Sequence, residues 1–428
     1  MLENVPVVRE FDPFDGMPAK FFAWARRERP VFFHERLNAY FLTRYSDCER
    51  VLKDGGEYIS AAPALRPNVN PIPEAMAILA ESGFVPAPSI VDEDGSEHRL
   101  HRAVAQPPFK AGNVRELASF IKGQVDARLS AIVALGETDL VDTVIYEVPA
   151  AVILHMMGIP DEQMGMIKGF RGPWSIFLWG LPDSDVQLAT AKGMAEFGRW
   201  ARAVAQRSLE NPGDDIISEA IKNLKSKGAL ESSRYWLDSY TLNVVMAGHE
   251  TTTNTMAGGV LTLLEKRGQW EALCSDADLI PGAVEEILRY STGVPTWRQQ
   301  VVKDIELSGI TVPAGSLVYV ALNSANRDEA VFGDDSERFD IRRKNANEHL
   351  AFGQGAHTCM GNHLAKLEMA IMLEEFSRRL PHMALRPNQA FTFSPNTTQR
   401  GPEQIFVRWD AAANPDTADR PNVPLAPI

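Results

Sequence analysis

The feature that most constrains the fold is one uninterrupted helical segment, predicted from about Tyr235 to Lys266. At 1.5 Å per residue such a helix is roughly 45–50 Å long. Helical patterns also dominate residues 97–225, and a last helix is predicted over His363–Leu380. Short strand patterns occur before and after these helices, without the β–α–β alternation that indicates a parallel sheet. The sequence therefore predicts a mainly α protein with small β-sheets.

The chain has one predicted domain and a tail. We assign residues 1–410 to the domain and expect residues 411–428, which are rich in Pro and Ala, to be disordered. Residues 55–95 are rich in Pro, Gly and Ala and are predicted to form a long loop. Long loops within compact domains usually carry function.

Charge and cysteine content narrow the set of partners. The net charge of −13 argues against nucleic acid or an anionic membrane as the main partner. Cys48, Cys274 and Cys359 are widely spaced and predict no disulfide framework. The N-terminus lacks a signal-peptide pattern, and no stretch reaches the ~18 apolar residues of a membrane helix. We expect a cytoplasmic protein with neither a membrane nor a nucleic-acid partner.

The strongest chemical signal is the glycine-rich loop Phe352–Gly361, with the sequence FGQGAHTCMG. A thiolate ligand needs nearby positive potential and backbone N–H donors. Cys359 lies just before a predicted helix, whose N-terminus offers both. A lone cysteine is more often a buried structural thiol, but the three glycines, Phe352 and His357 at these spacings argue for a ligand.

This loop resembles the cysteine-loop signature of the cytochrome P-450 family, whose thiolate is the proximal ligand of haem iron. The resemblance implies haem b as the cofactor and Cys359 as the axial iron ligand. It also implies that Phe352 shields the haem beside the sulfur, that His357 contacts a haem propionate, and that Gly361 lets the backbone close around the macrocycle. The implied fold is a triangular α-rich domain with a small β-rich lobe.

The middle of the long helix has an unusual composition, AGHETTTNT over Ala247–Thr255. Threonine and asparagine weaken a helix interior, and such a cost often has a local purpose. Taken alone, the run is also compatible with a bent structural helix. It resembles the family's acid–alcohol pair, so Glu250 and Thr251 match the catalytic residues that relay protons during oxygen activation. We interpret His249 as a polar neighbour of the site.

Two further patterns fit the same family. Glu286 and Arg289 lie at i, i+3, where the family's ExxR helix is expected, and Arg338 is expected to be the third partner of this structural lock. His98 and Arg102 lie at i, i+4 on one helix face. A helix face of this kind is often merely solvated, but haem carries two propionates that need cationic partners. By resemblance, His98 and Arg102 hold one propionate.

The resemblance assigns the second propionate to Arg298 and His357. It also lines the substrate pocket with five largely apolar segments, Pro63–Ser89, Phe177–Trp179, Met246–Thr251, Val294–Thr296 and Asn396–Thr398. Within them the candidate pocket residues are Phe177, Ala247, Val294, Thr296 and Thr397. The substrate is therefore expected to be a mainly hydrophobic small molecule.

The implied reaction is insertion of one oxygen atom from O₂ into that substrate, by a protein expected to be a monomer. Electrons from NAD(P)H are expected to arrive through a separate ferredoxin- or flavodoxin-type donor and its reductase, because no flavin or iron–sulfur region is recognised. Basic segments at Lys110, Arg342–Lys344 and Lys366 are candidates for docking that donor, or form an ordinary solvated surface. Alternatives are a peroxygenase, nitration or nitric oxide reduction at the same haem, and a non-catalytic haem sensor.

Overall fold

The computed structural model describes residue 8 and residues 11–16, 18–83, 88–160, 163, 165 and 173–413. Its helices are α1 (Ala19–Glu28), α2 (Tyr45–Lys53), α3 (Pro73–Glu81), α4 (Gly95–Ala105), α5 (Ala111–Glu116), α6 (Ala118–Ile132), α7 (Glu147–Met156), α8 (Pro173–Trp179), α9 (Ser184–Glu210), α10 (Ile216–Ser226), α11 (Arg234–Glu265), α12 (Arg267–Ser275), α13 (Ile280–Tyr290), α14 (Leu322–Ala325), α15 (Glu329–Phe332) and α16 (Asn362–Arg379).

The strands form three small sheets. They are β1 (Val31–His34), β2 (Ala39–Leu42), β3 (Ile59–Ser60), β4 (Glu137–Asp139), β5 (Trp297–Val301), β6 (Ile305–Leu307), β7 (Ile310–Val312), β8 (Leu317–Val320), β9 (Ala384–Leu385) and β10 (Phe406–Arg408). The largest sheet has the order β1-β2-β8-β5-β3, with β2 and β8 parallel and the other pairs antiparallel. The other two sheets have the orders β4-β10-β9 and β6-β7. The predicted fold class, mainly α with small sheets, is confirmed.

Helix α11 lies in the centre of the main hydrophobic core. Neighbouring helices approach it closely at two glycines. A Cβ on Gly248 would lie 2.9 Å from Ile153 of α7, and one on Gly259 would lie 2.4 Å from Ile287 of α13. Its threonines satisfy their hydroxyls within the helix, as Thr253 does by donating to the carbonyl of His249 at 3.0 Å. Because the glycines are small and the threonine hydroxyls bond within the helix, α11 can pass through a packed interior.

The predicted loop over residues 55–95 is wrong in part, because it contains β3, helix α3 and the start of α4. Pro73 stands at the first position of α3, where a missing N–H costs nothing, and apolar residues follow it. Residues 84–87 of this segment and residues 414–428 of the predicted tail lie outside the described part of the chain. Across the described residues, no helix is long and apolar enough to span a membrane.

Candidate active site

The Cys359 loop is closed by short hydrogen bonds at both ends. The Cys359 amide donates to the carbonyl of Phe352 at 2.7 Å, and the side-chain amide of Asn362, at the start of α16, donates to the carbonyl of Cys359 at 2.7 Å. A turn of 3₁₀-helix over Gly355–His357 joins these two points. The thiol is thereby fixed just before the N-terminus of α16, as the sequence predicts.

Glycine is required where this loop packs on α2. Gly355 has a φ of +72°, and a Cβ there would lie 2.7 Å from the carbonyl oxygen of Leu52. At Gly361 a Cβ would lie 4.0 Å from the Cys359 sulfur, an ordinary contact distance. The protein alone therefore does not oblige Gly361 to be glycine, and its predicted role toward the macrocycle remains a prediction.

The surroundings of the Cys359 sulfur favour a metal ligand. Burial raises the pKa of the thiol, and the Gly361 amide and the charge of Arg102 oppose this only in part. A bound cation deprotonates a coordinating thiol outright. A half-buried cysteine with one amide donor and one guanidinium nearby therefore fits an iron ligand.

Helix α4 packs against the Cys359 loop through three predicted haem-binding residues. The rings of His98 and His357 lie 4.0 Å apart, and Arg102 donates to the carbonyl of Thr358 at 2.7 Å. Nε2 of His98 is buried and has no hydrogen-bond partner among the described residues. Burial, together with the charges of His357 and Arg102, lowers the pKa of His98 to about 4. A buried nitrogen without a partner, beside a guanidinium, fits a haem propionate.

Arg298 and His357 are both expected to hold the second propionate, and this expectation stays a prediction for Arg298, whose guanidinium bonds to other residues in the structure. Its guanidinium is buried and donates to the carbonyls of Pro63 and Arg66 and to the side chain of Asn68. His357 stacks on His98. The strand β5 directs Arg298 toward residues 63–68, which supply several acceptors for the guanidinium.

The predicted acid and alcohol lie side by side in the middle of α11. Thr251 donates its hydroxyl proton to the carbonyl of Ala247 at 2.8 Å. Glu250 accepts a hydrogen bond from the indole Nε1 of Trp174, at 3.1 Å from Oε1. His249 turns away from them, because its Nε2 lies 3.1 Å from the carbonyl of Tyr146.

One face in the middle of α11 stays accessible, although most of the neighbouring residues are buried. Ala247 is exposed, and Asn243, Thr251 and Asn254, which lie four and seven positions from it on the same face, are half-buried. An accessible stripe in the middle of a core helix is suited to a cofactor and substrate. The stripe contains the predicted alcohol, Thr251, and the predicted pocket residue Ala247.

The other predicted pocket residues behave differently. Val294 is half-buried and Phe177 is buried in an aromatic cluster. Thr296 and Thr397 are fully buried; Thr296 donates to the carbonyl of Thr397 at 2.6 Å, and Thr397 donates to the carbonyl of Trp179. These hydroxyls join the residue before β5 and the 396–398 turn to α8, and the expected place of both threonines in the pocket stays a prediction.

The ExxR lock is present, but its third partner is not Arg338. Glu286 and Arg289 are fully buried and pair through two bonds of 2.7 and 2.8 Å. Arg343 brings its Nε to 3.6 Å from Glu286 Oε2, with a side chain only 6% exposed. The side chain of Arg338 is 65% exposed and pairs with Asp340. Arg338 contributes only its backbone carbonyl, to Arg289 at 3.0 Å.

The inward position of Arg343 goes with a turn in which its amide donates to the carbonyl of Asp340 at 3.0 Å. Phe339 and Ile341 are buried on either side of Asp340, whereas Arg338 is exposed. The burial of Arg343 also removes it from the predicted docking surface. Lys366 pairs with Glu285 at 2.5 Å, whereas Lys110, Arg342 and Lys344 are exposed.

Comparisons with known proteins agree with this geometry. The family model described as Cytochrome P-450 matches residues 204–390. A steroid C26-monooxygenase of Mycolicibacterium smegmatis is 31% identical over 408 residues, covering 93% of this chain and 94% of that protein. The crystal structure of the Tepidiphilus thermophilus P-450 haem domain superposes with a TM-score of 0.91 at 34% identity, covering 96% of this chain and 99% of that one.

An intact type IV self-sufficient cytochrome P-450 monooxygenase gives a TM-score of 0.92 at 37% identity, over 97% of this chain and 55% of that chain. These likenesses extend far beyond the Cys359 loop on which the sequence prediction chiefly rests. They confirm the predicted fold, the haem cofactor and the reaction class. The chain belongs to the cytochrome P-450 family and is a haem-dependent monooxygenase.

Proposed function

We propose that this enzyme inserts one oxygen atom from O₂ into a mainly hydrophobic small molecule, at a haem held by Cys359. The observation that carries the proposal is the packing of His98 and Arg102 on the Cys359 loop. It joins the half-buried thiol of Cys359 to a cation and to a buried His98 nitrogen that has no hydrogen-bond partner among the described residues. A haem with its iron on the sulfur and a carboxylate on α4 meets all three requirements.

When bound, the haem would supply the activation of dioxygen, and the protein would supply binding, orientation and protons. Cys359 would hold the iron, and Phe352 would cover the sulfur. Arg102 and His98 would bind a propionate, with His357 stacked on His98. The Thr251 hydroxyl donates its hydrogen bond to the Ala247 carbonyl, so the lone pairs of Oγ1 remain available to accept another hydrogen bond. Glu250 would deliver protons to this hydroxyl, as general acid catalysis requires.

A buried apolar cluster that packs on α11 supports a hydrophobic substrate. Trp174, Phe177, Leu178 and Trp179 form an aromatic cluster with Met246 of α11 packed against it. Aromatic and thioether side chains favour flat or fused-ring hydrophobic compounds. One relative is named a steroid C26-monooxygenase, which makes steroids a suitable first class to test.

We propose further that electrons reach the enzyme from NAD(P)H through a separate ferredoxin- or flavodoxin-type protein. Exposed cations at Lys110, Arg342 and Lys344 stand out on a chain of net charge −13. Such a group would orient an acidic donor and raise its rate of encounter.

Reconstitution tests the proposed function. The enzyme is mixed with a surrogate ferredoxin, its reductase and NADPH, or with hydrogen peroxide alone, and products are measured. The substrates are testosterone, 4-ethylphenol and lauric acid, chosen after each is screened for a spin-state shift. NADPH-dependent oxygenation supports the proposal. Product formed only with peroxide would instead indicate a peroxygenase, and haem binding without any turnover would favour a sensor.

A further inference from the structure

A tryptophan that the sequence motifs do not include contacts the predicted proton-delivery acid. Trp174, in the first turn of α8, donates its indole N–H to Glu250 Oε1 at 3.1 Å. The two residues are 8% and 9% exposed, so the bond lies in the interior. It connects α8 to the middle of α11, across 76 positions of sequence.

The position of the Trp174 ring is itself fixed. The ring meets Trp179 edge to face at 5.4 Å and belongs to the aromatic cluster packed with Leu65, Met194 and Met246. Trp179 in turn donates its indole N–H to the carbonyl of Ala64 at 2.9 Å, and its own carbonyl accepts from the Thr397 amide at 3.0 Å. Glu250 therefore receives a donor whose place is determined by packing.

The chemistry of indole limits what this contact can do. Nε1 of tryptophan donates a hydrogen bond and cannot accept one, so Trp174 can orient a carboxyl group but cannot carry a proton to or from it. A glutamate side chain has several rotatable bonds, and one fixed donor on Oε1 restricts where the group lies. Restricting a proton donor to a reactive position is a recognised source of catalytic rate.

We propose that Trp174 is a positioning residue that holds the Glu250 carboxyl group in place for proton delivery to Thr251. This inference rests on the proposed function, in which Glu250 is the acid. Because the Trp174 ring also belongs to the apolar cluster expected to form the pocket wall, one side chain joins the substrate wall to the proton path.

A double-mutant cycle separates positioning from general support of the helix. Trp174→Phe keeps an aromatic ring and removes the N–H, and Glu250→Gln removes the acid. Trp179→Phe is the matched control, because it removes another indole N–H of the same helix. This N–H bonds to a backbone carbonyl and not to Glu250. Coupling is measured as product per NADPH, with whichever of testosterone, 4-ethylphenol or lauric acid gives the largest spin-state shift.

Trp174→Phe is expected to lower coupling about tenfold, the size of one hydrogen bond. Its solvent deuterium isotope effect should change in the same direction as that of Glu250→Gln. The double variant should be no worse than Glu250→Gln alone, because Trp174 acts through Glu250. The effects of Trp179→Phe and Glu250→Gln should add.

A spectroscopic measurement tests the bond without turnover. In the diamagnetic ferrous carbon monoxide form, ¹⁵N-labelled indole gives a resonance for Trp174 that is assigned by its loss in Trp174→Phe. Glu250→Gln should move this resonance, because the group that accepts the indole N–H is changed. The Trp179 resonance should stay in place.

The possible outcomes distinguish the role proposed for Glu250 from the role proposed for Trp174. If Glu250→Gln leaves coupling unchanged, the proposed role of Glu250 is wrong. If Glu250→Gln uncouples the enzyme but Trp174→Phe does not, or the two effects add, the inference about Trp174 is overturned. A Trp174→Phe protein that binds substrate more weakly but stays fully coupled at saturation would likewise make Trp174 a wall residue only.

Discussion

The guanidinium of Arg343 lies against the carboxylate of Glu286, with 3.6 Å between Nε and Oε2. Glu286 is already paired with Arg289, so one buried carboxylate receives two arginines. Asp340 adds its backbone amide to the same carboxylate at 2.8 Å. The group joins α13 to the segment that precedes the Cys359 loop.

Removing Arg343 is expected to destabilise the protein far more than removing Arg338. Arg343→Ala removes a buried guanidinium from Glu286 and leaves the carbonyls of Phe332 and Asp335 without this donor, and losing one partner of a buried hydrogen bond costs about 1–3 kcal/mol. An exposed pair such as Arg338 with Asp340 contributes about 0.2–1 kcal/mol. Urea unfolding and haem content of Arg343→Ala and Arg338→Ala measure the difference. Equal destabilisation by the two substitutions would mean that Arg343 is not the structural partner.

The long helices were the most predictable part of this fold. The predicted bounds of α11 and α16 lie within one residue of the observed ones, because hydrophobic periodicity over many turns leaves little freedom. Helix α3 was missed because it is short and stands among prolines and glycines, which favour loops.

Sequence motifs located the site but not all of its contacts. The motifs identify residue types at fixed spacing, and for Cys359, His98 and Arg102 the structure does bring the residues together. The choice between Arg338 and Arg343 depended on which of the two side chains faces inward. The contact of Trp174 with Glu250 could not be predicted, because α8 carries no spacing signal that relates it to α11.

Replacing Thr251 by alanine is expected to separate NADPH consumption from oxygenation. Without the hydroxyl, proton delivery no longer favours oxygenation over the release of hydrogen peroxide. Product per NADPH should therefore fall about tenfold or more, and hydrogen peroxide should rise. Thr253→Ala is the matched control, because its hydroxyl bonds to the carbonyl of His249 on another face of the helix. Measuring the NADPH consumed and the peroxide and product formed checks this expectation. Normal coupling in Thr251→Ala would remove Thr251 from the proton path.

Replacing His98 by phenylalanine is expected to weaken haem retention while leaving the thiolate ligand intact. The ring still stacks on His357, but the nitrogen that would bind a propionate is lost. Haem transfer to apomyoglobin should become about tenfold faster, as for one hydrogen bond to a charged group. In the control His155→Phe, an exposed ring stacked on Phe120 is replaced, and the transfer rate should not change. Equal rates for the two variants would exclude His98 from haem binding.

Charge reversal at Arg342 and Lys344 is expected to slow electron delivery. The rate of first reduction by a ferredoxin should fall about threefold to tenfold at low salt, and the difference should shrink as salt screens the charges. Stopped-flow reduction across a salt series measures both quantities. The double variant Lys225→Glu/Lys227→Glu, at two exposed residues at the end of α10, provides the same change of charge elsewhere. If this control slows reduction as much as the double reversal at Arg342 and Lys344, net charge rather than docking explains the effect.

The central claim is that Cys359 is the axial ligand of the haem iron. The most direct test is the ferrous carbon monoxide spectrum of the wild type beside three single variants, Cys359→His, Cys48→Ser and Cys274→Ser. The account predicts a long-wavelength Soret band in the wild type and in both serine variants, because a thiolate ligand is present in each. It predicts loss of that band in Cys359→His, even where haem remains bound. A Cys359→His protein that keeps the long-wavelength band would contradict the assignment.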